Sequence, residues 1–338
     1  MLRVHFTADD LQRVQLAPGP DALWEILLSL CRLRRPQGEA VFGQWKRQVT
    51  SQLPASIGML TALAPPSGYA ADFLTPTTST GTLRDGLAAV RATPRARLRT
   101  DLTELATRHP HRSIPSWGRS LADGRPQVVQ QVTASLADYF AHCLAPYWPR
   151  VRAQVDRDRH RRRQQLDEGG WPRVLSTIHP TARWSYPVLE LDYPADHDIA
   201  LDGRGLVLQP SFFCWGPPVT LLDPALPPVL AYPVTPAFGW AATDAEDGSR
   251  SRALTALLGD TRANVLKAIA DGACSTTQLA GRVQAPPPTV SRQAAVLRDA
   301  GLIRTQRAGK RVEHSITPLG TALLQGDLDH DQPSERAN

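Results

Sequence analysis

The sequence has few cysteines, and none is placed to hold a metal. Cys31, Cys143, Cys214 and Cys274 lie far apart in the 338 residues, and no Cys-x-x-Cys or Cys/His cluster with zinc-ligand spacing occurs. The chain also lacks the apolar run of roughly 18 residues that a membrane helix needs, and its start lacks the apolar stretch of a secretory signal. We therefore predict a cytoplasmic protein with reduced thiols, no bound metal and no membrane contact.

Motifs of common enzyme classes are missing as well. The sequence contains no glycine-rich phosphate loop, no Gly-x-Ser-x-Gly or His-Glu-x-x-His segment, and no paired-carboxylate motif. His109-Pro110-His111 is a weak metal constellation, because no carboxylate stands beside the two histidines, and we interpret it as a loop. We predict neither catalysis nor a cofactor.

Positive charge, in contrast, is concentrated near the carboxyl end. The whole chain carries a formal net charge of +6. Residues 251–325 contain ten basic and four acidic side chains, so they hold the whole excess, and the charges of the remaining residues cancel. A local excess of this kind is what a polyanionic partner requires.

The spacing of apolar residues changes along the chain. From residue 9 to about residue 163 they recur at intervals of three and four, which predicts helices, and Asp21 is placed to cap one of them. After Gly169-Gly170 short apolar runs predict a small β layer. These runs are Val174–Ile178, Val188–Tyr193, Gly205–Leu208 and Val229–Val234.

Residues 251–325 have the spacing of a helix-turn-helix. Two short helices are expected first, one with Leu254, Leu257 and Leu258 on a single face and one capped by Asp260. Ser275 and Gln278 match a capping box at the start of a third helix over 275–283. In a fourth helix, Val290, Ala294 and Leu297 repeat at i, i+4 and i+7, which predicts that they face the core.

A hairpin and a closing helix complete the predicted domain. Leu302–Arg307 and Val312–Ile316 are its expected strands, and Thr317-Pro318 has the character of a helix start. A cationic hairpin beside a recognition helix is a wing, which suits phosphate or the minor groove.

The fourth helix carries groups that suit DNA. Thr289, Ser291 and Arg292 project away from its core-facing side, and hydroxyls and an arginine fit base edges and phosphates in the major groove. For Arg298, pairing with an acidic neighbour is the alternative to phosphate. The predicted DNA-binding residues are Thr289, Ser291, Arg292, Gln293, Arg298, Arg307, Lys310 and Arg311.

Two other groups of residues have alternative interpretations. The arginines of residues 150–163 could form a second nucleic-acid surface, but Asp156 and Asp158 interrupt them, which favours a solvated helix face. Phe212, Phe213, Trp215 and Tyr232 are candidates to line an effector pocket, although aromatic residues on short strands are ordinarily core.

Four motifs in order resemble ArsR-type transcriptional regulators. They are Leu257-Leu258-Gly259-Asp260-Thr261-Arg262, Ser275-Thr276-Thr277-Gln278-Leu279-Ala280, Thr289-Val290-Ser291-Arg292 and Leu297-Arg298-Asp299-Ala300-Gly301-Leu302-Ile303. Residues 205–215 and 230–233 resemble the long amino-terminal region of actinobacterial members. The resemblance implies a nucleoid-associated homodimer that binds double-stranded DNA, represses promoters and releases them when an effector binds.

Two features depart from the family pattern. The metal sensors of the family carry cysteine in the helix corresponding to residues 275–283, and this chain has none there, so metal sensing is not expected. Where the family often has Ser-Gln at the start of the recognition helix, Pro286-Pro287-Pro288 stands here. Proline cannot donate a hydrogen bond, which moves the expected reading of bases to Thr289, Ser291, Arg292 and Gln293.

We predict an α+β, mainly α protein: a helical amino-terminal region with a small β layer, then a carboxyl-terminal winged helix-turn-helix. Residues 1–235 form the first domain, with dimerisation or effector binding as its alternative roles. Residues 236–250 are the predicted linker, residues 251–325 the DNA-binding domain, and residues 326–338 a disordered tail. The expected function is a sequence-specific DNA-binding repressor. The alternatives are a sensor whose first domain binds a metabolite, or one whose first domain only dimerises or binds a protein partner.

Overall fold

The structure is a computed structural model that describes residues 1–77, 81–112, 115–237, 239–241, 253–270, 274–308 and 311–325. The chain divides into two compact units. The first comprises residues 1–38 and 46–235, and the second comprises residues 39–45 and 236–338. The predicted tail and residues 242–250 of the predicted linker lie outside the described residues, and the domain boundaries stay predictions.

Helices dominate the first unit up to residue 177, and the spacing of apolar residues predicts them from residue 9 to about residue 163. They are α1 (Ala8–Gln12), α2 (Ala22–Leu33), α3 (Glu39–Thr50, which crosses the division between units), α4 (Ile57–Leu63), α5 (Leu83–Arg91), α6 (Arg95–Arg108), α7 (Trp117–Ala122), α8 (Pro126–Tyr139) and α9 (Trp148–Thr177). The predicted cap of α2 is confirmed, because the Asp21 carboxylate accepts hydrogen bonds from the backbone N–H groups of Leu23 and Trp24 at 2.9 and 3.0 Å.

The strands of the first unit lie near the beginning and near the end of its sequence. They are β1 (Leu2–His5), β2 (Gln15–Leu16), β3 (Arg183–Ser185), β4 (Val188–Leu191), β5 (His197–Ala200), β6 (Val207–Ser211), β7 (Val219–Thr220) and β8 (Val229–Pro233). In the described part of this unit they form two four-stranded sheets, in the orders β3-β4-β1-β5 and β2-β6-β8-β7. The predicted strands near residues 188, 205 and 229 are confirmed as β4, β6 and β8, with shifted ends.

Long-range pairing explains β1 and β2, which local spacing did not predict. β1 pairs antiparallel with β4, with Leu2 opposite Leu191, and parallel with β5 on its other edge. β2 pairs parallel with β6. Leu2, Val4, Leu189 and other fully buried side chains form the core of these sheets.

The predicted strand Val174–Ile178 is wrong, because Val174 to Thr177 form the last turns of α9. Backbone angles at Gly169 and Gly170 break this helix, and Pro172 lies in the first turn of the segment that follows. Val174, Leu175 and Ile178 are buried in the sheet core at helical spacing. A short apolar run cannot by itself distinguish a buried strand from a buried turn of helix.

The arginine-rich part of α9 is engaged by its own neighbours. Arg159 pairs with Asp156 at 3.2 Å, and Arg161 pairs with Asp158. Arg162 is buried and donates to the carbonyl oxygen of Thr177 at 2.8 Å. These contacts favour the interpretation as a structural, partly solvated helix face over a second nucleic-acid surface.

The predicted loop at His109-Pro110-His111 is confirmed, since α6 ends at Arg108. The His109 Nε2 lies 2.9 Å from the carbonyl oxygen of Tyr69. Among the side chains that the structure describes, no group of three or more His, Cys, Asp or Glu is arranged to hold a metal ion.

A buried carboxylate joins α2 to the end of β6. The Glu25 side chain accepts hydrogen bonds from the N–H groups of Phe212 and Phe213 at 2.7 and 3.0 Å and from the Ser211 hydroxyl at 3.0 Å. Burial raises the pKa of Glu25 to about 7, although these three hydrogen bonds act in the opposite direction. The junction therefore depends on a group that titrates near neutral pH.

The second unit contains the predicted helix-turn-helix and hairpin. Its elements are α10 (residues 253–258), α11 (Asp260–Ala270), β9 (Cys274–Ser275), α12 (Thr276–Val283), α13 (Pro287–Asp299), β10 (Ile303–Ala308), β11 (Arg311–Ile316) and α14 (Pro318–Gln325). β11 pairs with β10 on one edge and with β9 on the other. The predicted α+β, mainly α class is confirmed.

Trp240 is a buried residue of the second unit. Its indole Nε1 donates to the Val41 carbonyl oxygen at 2.8 Å, and its ring contacts those of Phe42 and Trp45 at centroid distances of 6.1 and 6.4 Å. The start of the predicted linker therefore packs on the first turns of α3.

No described helix combines the length and the apolar character needed to cross a bilayer.

We predict that the first unit loses stability as pH rises from about 5 to about 7.5. Glu25 has a raised pKa in the folded chain, so the folded state keeps a proton that the unfolded state has already lost, and folding is favoured at the lower pH. Asp21, whose pKa burial raises to about 6, acts in the same direction. Urea unfolding at several pH values measures the effect.

Glu25→Gln tests the source of this pH dependence, with Glu168→Gln as the control on the exposed surface. The free energy of unfolding is expected to vary less with pH in the Glu25 variant than in wild type. In the Glu168 variant it is expected to vary with pH as it does in wild type. A Glu25→Gln profile as steep as that of wild type would contradict the assignment.

Candidate nucleic-acid interface

The predicted buried stripe of α13 is confirmed. Val290, Ala294 and Leu297 are 0%, 2% and 1% exposed. They belong to one core with Val265 and Leu266 of α11 and with side chains of α12. Because these three positions are fixed inward, the opposite side of α13 must face outward.

The predicted capping box is also confirmed, and it sets the start of α12. The backbone N–H of Gln278 donates to Ser275 Oγ at 3.3 Å, and the N–H of Ser275 donates to Gln278 Oε1 at 2.9 Å. α12 ends at Val283, and its C-cap residue Gln284 has a left-handed backbone with φ of 51°. This turn leads into α13.

Three prolines change what the start of α13 can offer. Pro286 is the N-cap, and Pro287 and Pro288 occupy the first two helical positions. None of them has an N–H, while the N–H of Val290 is bonded to the Pro286 carbonyl oxygen at 3.1 Å. Of the backbone donors that a helix start usually presents to an anion, only that of Thr289 is left.

The end of α13 is built for a sharp turn into the hairpin. Gly301 has φ of +73°, a conformation that suits glycine. The N–H of Leu302 reaches back to the Leu297 carbonyl oxygen at 2.9 Å. β10 therefore starts directly beside the helix.

The outward side of α13 carries the predicted DNA-binding groups. Ser291 and Arg292 are exposed, and Thr289 and Gln293 are half-buried. Helical spacing places Thr289, Arg292 and Gln293 along one side, at i, i+3 and i+4, and Ser291 on the other flank. Whether these side chains touch DNA stays a prediction.

Arg298 pairs with an acidic neighbour, which is the alternative to a phosphate contact that the sequence leaves open. Its Nη2 lies 2.9 Å from Asp299 Oδ1 and its Nε 3.1 Å from the same atom. Both side chains are exposed, so this pair is weak and a phosphate could replace it.

Two residues of this surface were missed at the sequence level. Val296 follows Arg292 by one turn and is 43% exposed, a spacing that could have indicated it. Arg262 of α11 donates from Nε to Gln293 Oε1 at 2.9 Å. Nothing in the local sequence pattern indicates that contact, because the two residues are 31 positions apart and belong to different helices.

The hairpin is confirmed as β10 and β11, with Ile303 opposite Ile316 and Ala308 opposite Arg311. Lys310 lies outside the described residues, and so do the side chains of Arg307 and Arg311. The cationic tip is therefore a prediction from the sequence. β9 is a third strand that was not predicted.

A buried histidine connects the hairpin to the start of α12. His314 is 5% exposed, with Nε2 at 3.0 Å from Thr276 Oγ1 and Nδ1 at 3.1 Å from Thr305 Oγ1. Burial lowers its pKa, and the positive charge of Arg298 adds to this effect. A neutral ring thus bridges two elements of the candidate interface.

The expected single face of the first short helix is only partly correct. Leu254 is buried, whereas Leu257 is 68% exposed. Asp260 is the first residue of α11 and not a residue before it. Gly259, with φ of +77°, separates the two helices and allows the chain to turn there.

The candidate effector residues of the first unit are mostly inaccessible. Phe212, Phe213 and Tyr232 are fully buried, and only Trp215, at 38%, is exposed. The Tyr232 hydroxyl is 2.8 Å from Asp158 Oδ2. These four residues stay a predicted pocket, which would require the buried rings to move.

A separate cavity of about 380 Å³ opens in the first unit beside the edge strands β5 and β7. Its polar lining is His197, Asp198, Asp202, Arg204, Thr220 and Asp223, and leucine, isoleucine, alanine and proline side chains form the remaining wall. Its volume falls within the range of roughly 300–1,000 Å³ that is typical of small-molecule sites.

Comparisons with known proteins point to the same segment. Residues 259–305, from the start of α11 into β10, match the family model described as "Bacterial regulatory protein, arsR family". The chain is similar to the HTH-type transcriptional regulator Rv2034 of Mycobacterium tuberculosis, with 35% identity over 81 residues. That alignment covers 24% of this chain and 76% of the relative.

We predict that Ser275→Ala lowers the free energy of unfolding of the second unit by about 1 kcal/mol, because α12 loses its N-cap. Thr277→Ala is the matched control, since Thr277 is exposed in the same first turn and makes no side-chain hydrogen bond among the described residues. Thermal unfolding of both variants is the measurement. Equal stability of the two variants would show that the capping box does not hold α12.

Proposed function

The chain belongs to the arsR family of bacterial regulatory proteins, and we propose that it is a homodimeric repressor that recognises operator DNA through α13. It is a DNA-binding transcriptional regulator by its family and its helix-turn-helix. The observation that carries the proposal is the outward side of α13, where Arg292 lies opposite a stripe of fully buried residues.

Roles follow from the chemistry of the exposed groups. Thr289, Ser291, Arg292 and Gln293 are the groups that read base edges in the major groove, with the Arg292 guanidinium suited to guanine. Arg298, Arg307, Lys310 and Arg311 neutralise phosphates. Supporting this division, residues 251–325 hold the whole net positive charge of the chain.

A second copy of the chain completes the proposed assembly. Leu257 of α10 and Leu319 of α14 are 68% and 52% exposed, and in the proposed dimer they contribute to the surface that the second copy covers. A two-fold dimer would place the centres of its half-sites about 10 base pairs apart or a multiple of that. Its place of action would be the nucleoid.

Metal is not the proposed signal, and no cofactor is required. The support is the composition of α12, which contains no cysteine, so the chain lacks the soft ligands that the metal sensors of the family carry there. Cys274 alone, directly before α12, cannot form a soft-metal site.

The cavity beside β5 and β7 favours a second candidate function, in which a metabolite bound by the first unit controls release from DNA. In support, its volume lies within the range of small-molecule sites, and its lining combines apolar and polar side chains. A set of metabolites that leaves DNA binding unchanged would favour the other role, a dimerisation or protein-partner module.

We predict that Arg292→Ala lowers the preference for the operator over other DNA by ~1–3 kcal/mol, because a base contact is lost. The Lys310→Ala, Arg311→Ala double variant is expected to weaken binding to all sequences and to flatten its salt dependence by about two phosphate contacts. Gel shifts at several salt concentrations measure both. A double variant that binds like wild type at every salt concentration would contradict the wing assignment.

The metabolite hypothesis is tested by filling the cavity. Ala200 is an exposed lining residue, so Ala200→Trp is expected to abolish the thermal stabilisation and DNA release that an active metabolite produces in wild type. Ala153→Trp, on an exposed position of α9, is the control and should respond normally. Response of both variants would place the ligand elsewhere.

A further inference from the structure

The contact between Arg262 and Gln293 connects the predicted recognition helix to α11. The Arg262 Nε donates to Gln293 Oε1 at 2.9 Å, with Arg262 exposed and Gln293 half-buried. Within the described part of the chain this is the only hydrogen bond of the Arg262 side chain, and it forms no ion pair there. The Gln293 amide is therefore the polar partner of the Arg262 side chain among the described residues.

That bond determines which way the Gln293 amide points. A carboxamide has an oxygen that accepts and an NH₂ group that donates. With the oxygen against a guanidinium, the opposite orientation would direct two N–H donors at a cation, which is repulsive. The Gln293 NH₂ group therefore points away from α11, toward the side of α13 that carries Arg292.

The orientation limits the bases that Gln293 can recognise. Pairing with adenine uses both ends of the amide, since the oxygen accepts from N6 and the NH₂ donates to N7. Here the oxygen is turned toward α11 and accepts from Arg262 with one of its two lone pairs, so it is less accessible to adenine N6 than the NH₂ group is to an acceptor. The NH₂ group suits a base atom that only accepts, such as guanine O6 and N7 or thymine O4.

We propose that Arg262 is a positioning residue for DNA reading: it fixes the Gln293 amide so that Gln293 recognises a guanine or a thymine in preference to adenine. The inference rests on the proposed function, because it needs α13 to lie in the major groove. It adds a specificity determinant on a helix outside the helix-turn-helix pair α12 and α13.

The test compares full-length wild type, Arg262→Ala, Gln293→Ala and the double variant against an operator in which each base pair is varied in turn. At one base pair per half-site, wild type is expected to prefer guanine or thymine on the contacted strand. In both single variants that preference should fall about fivefold, which is the contribution of one hydrogen bond. The double variant should lose no more than either single variant, because the two residues act as a unit.

The possible failures of the test are distinguishable. If Gln293→Ala keeps every preference, Gln293 does not read DNA, and that part of the proposed function fails. If Gln293→Ala loses a preference that Arg262→Ala retains, only the positioning role of Arg262 is overturned. A wild-type preference for adenine at the affected base pair would also overturn it.

A uniform loss of affinity at all base pairs in Arg262→Ala would assign Arg262 to charge alone and would contradict positioning. Thermal unfolding first establishes that each variant is folded. Should alanine unfold the second unit, Arg262→Met replaces it, because methionine keeps much of the apolar stem and cannot donate to Gln293. The same losses are expected for Arg262→Met.

Discussion

Burial of Val290, Ala294 and Leu297 against α11 and α12 is the constraint on which the DNA-reading surface depends. An α-helix with one stripe fixed inward has no freedom left in the direction of its other side chains. Arg292 consequently points outward, and Thr289 and Ser291 lie on its flanks. The same apolar core includes Leu302 and Ile303, so it also attaches the hairpin to the end of α13.

Polar contacts define the helix starts of the second unit and connect its hairpin to α12. The capping box at Ser275 starts α12, the prolines start α13 without backbone donors, and His314 bridges β10 to the first turn of α12. Each of these groups is satisfied within the second unit. Arg292, which is exposed on its described surface, is then available for a polyanion.

The features of the second unit that could be predicted from sequence are those with local signals. Ser275 and Gln278 are three positions apart, Gly301 marks a helix end, and Thr317-Pro318 marks a helix start. Strands β1, β2 and β9 could not be predicted in this way, because each is defined by a partner far along the chain, such as Leu191 for Leu2. The error at Val174–Ile178 has a related cause, since four or five apolar residues fit a strand and a buried helical turn equally well.

In the candidate site, too, features with a local signal could be predicted and features that depend on distant residues could not. Arg292 could be found from the period of a single helix, whereas the contact of Arg262 with Gln293 depends on how two helices pack. In the first unit, the aromatic residues were indicated by composition alone, and the structure places three of them in the core and a cavity elsewhere.

Site-directed photocrosslinking to operator DNA tests the central claim most directly, with the crosslinking residue placed at Ser291 of α13 or at Arg163 of the arginine-rich helix α9. Both positions are exposed, so the reagent is accessible at either one. The account predicts crosslinks to operator bases from position 291 and none from position 163. Crosslinks from position 163 without any from position 291 would contradict it.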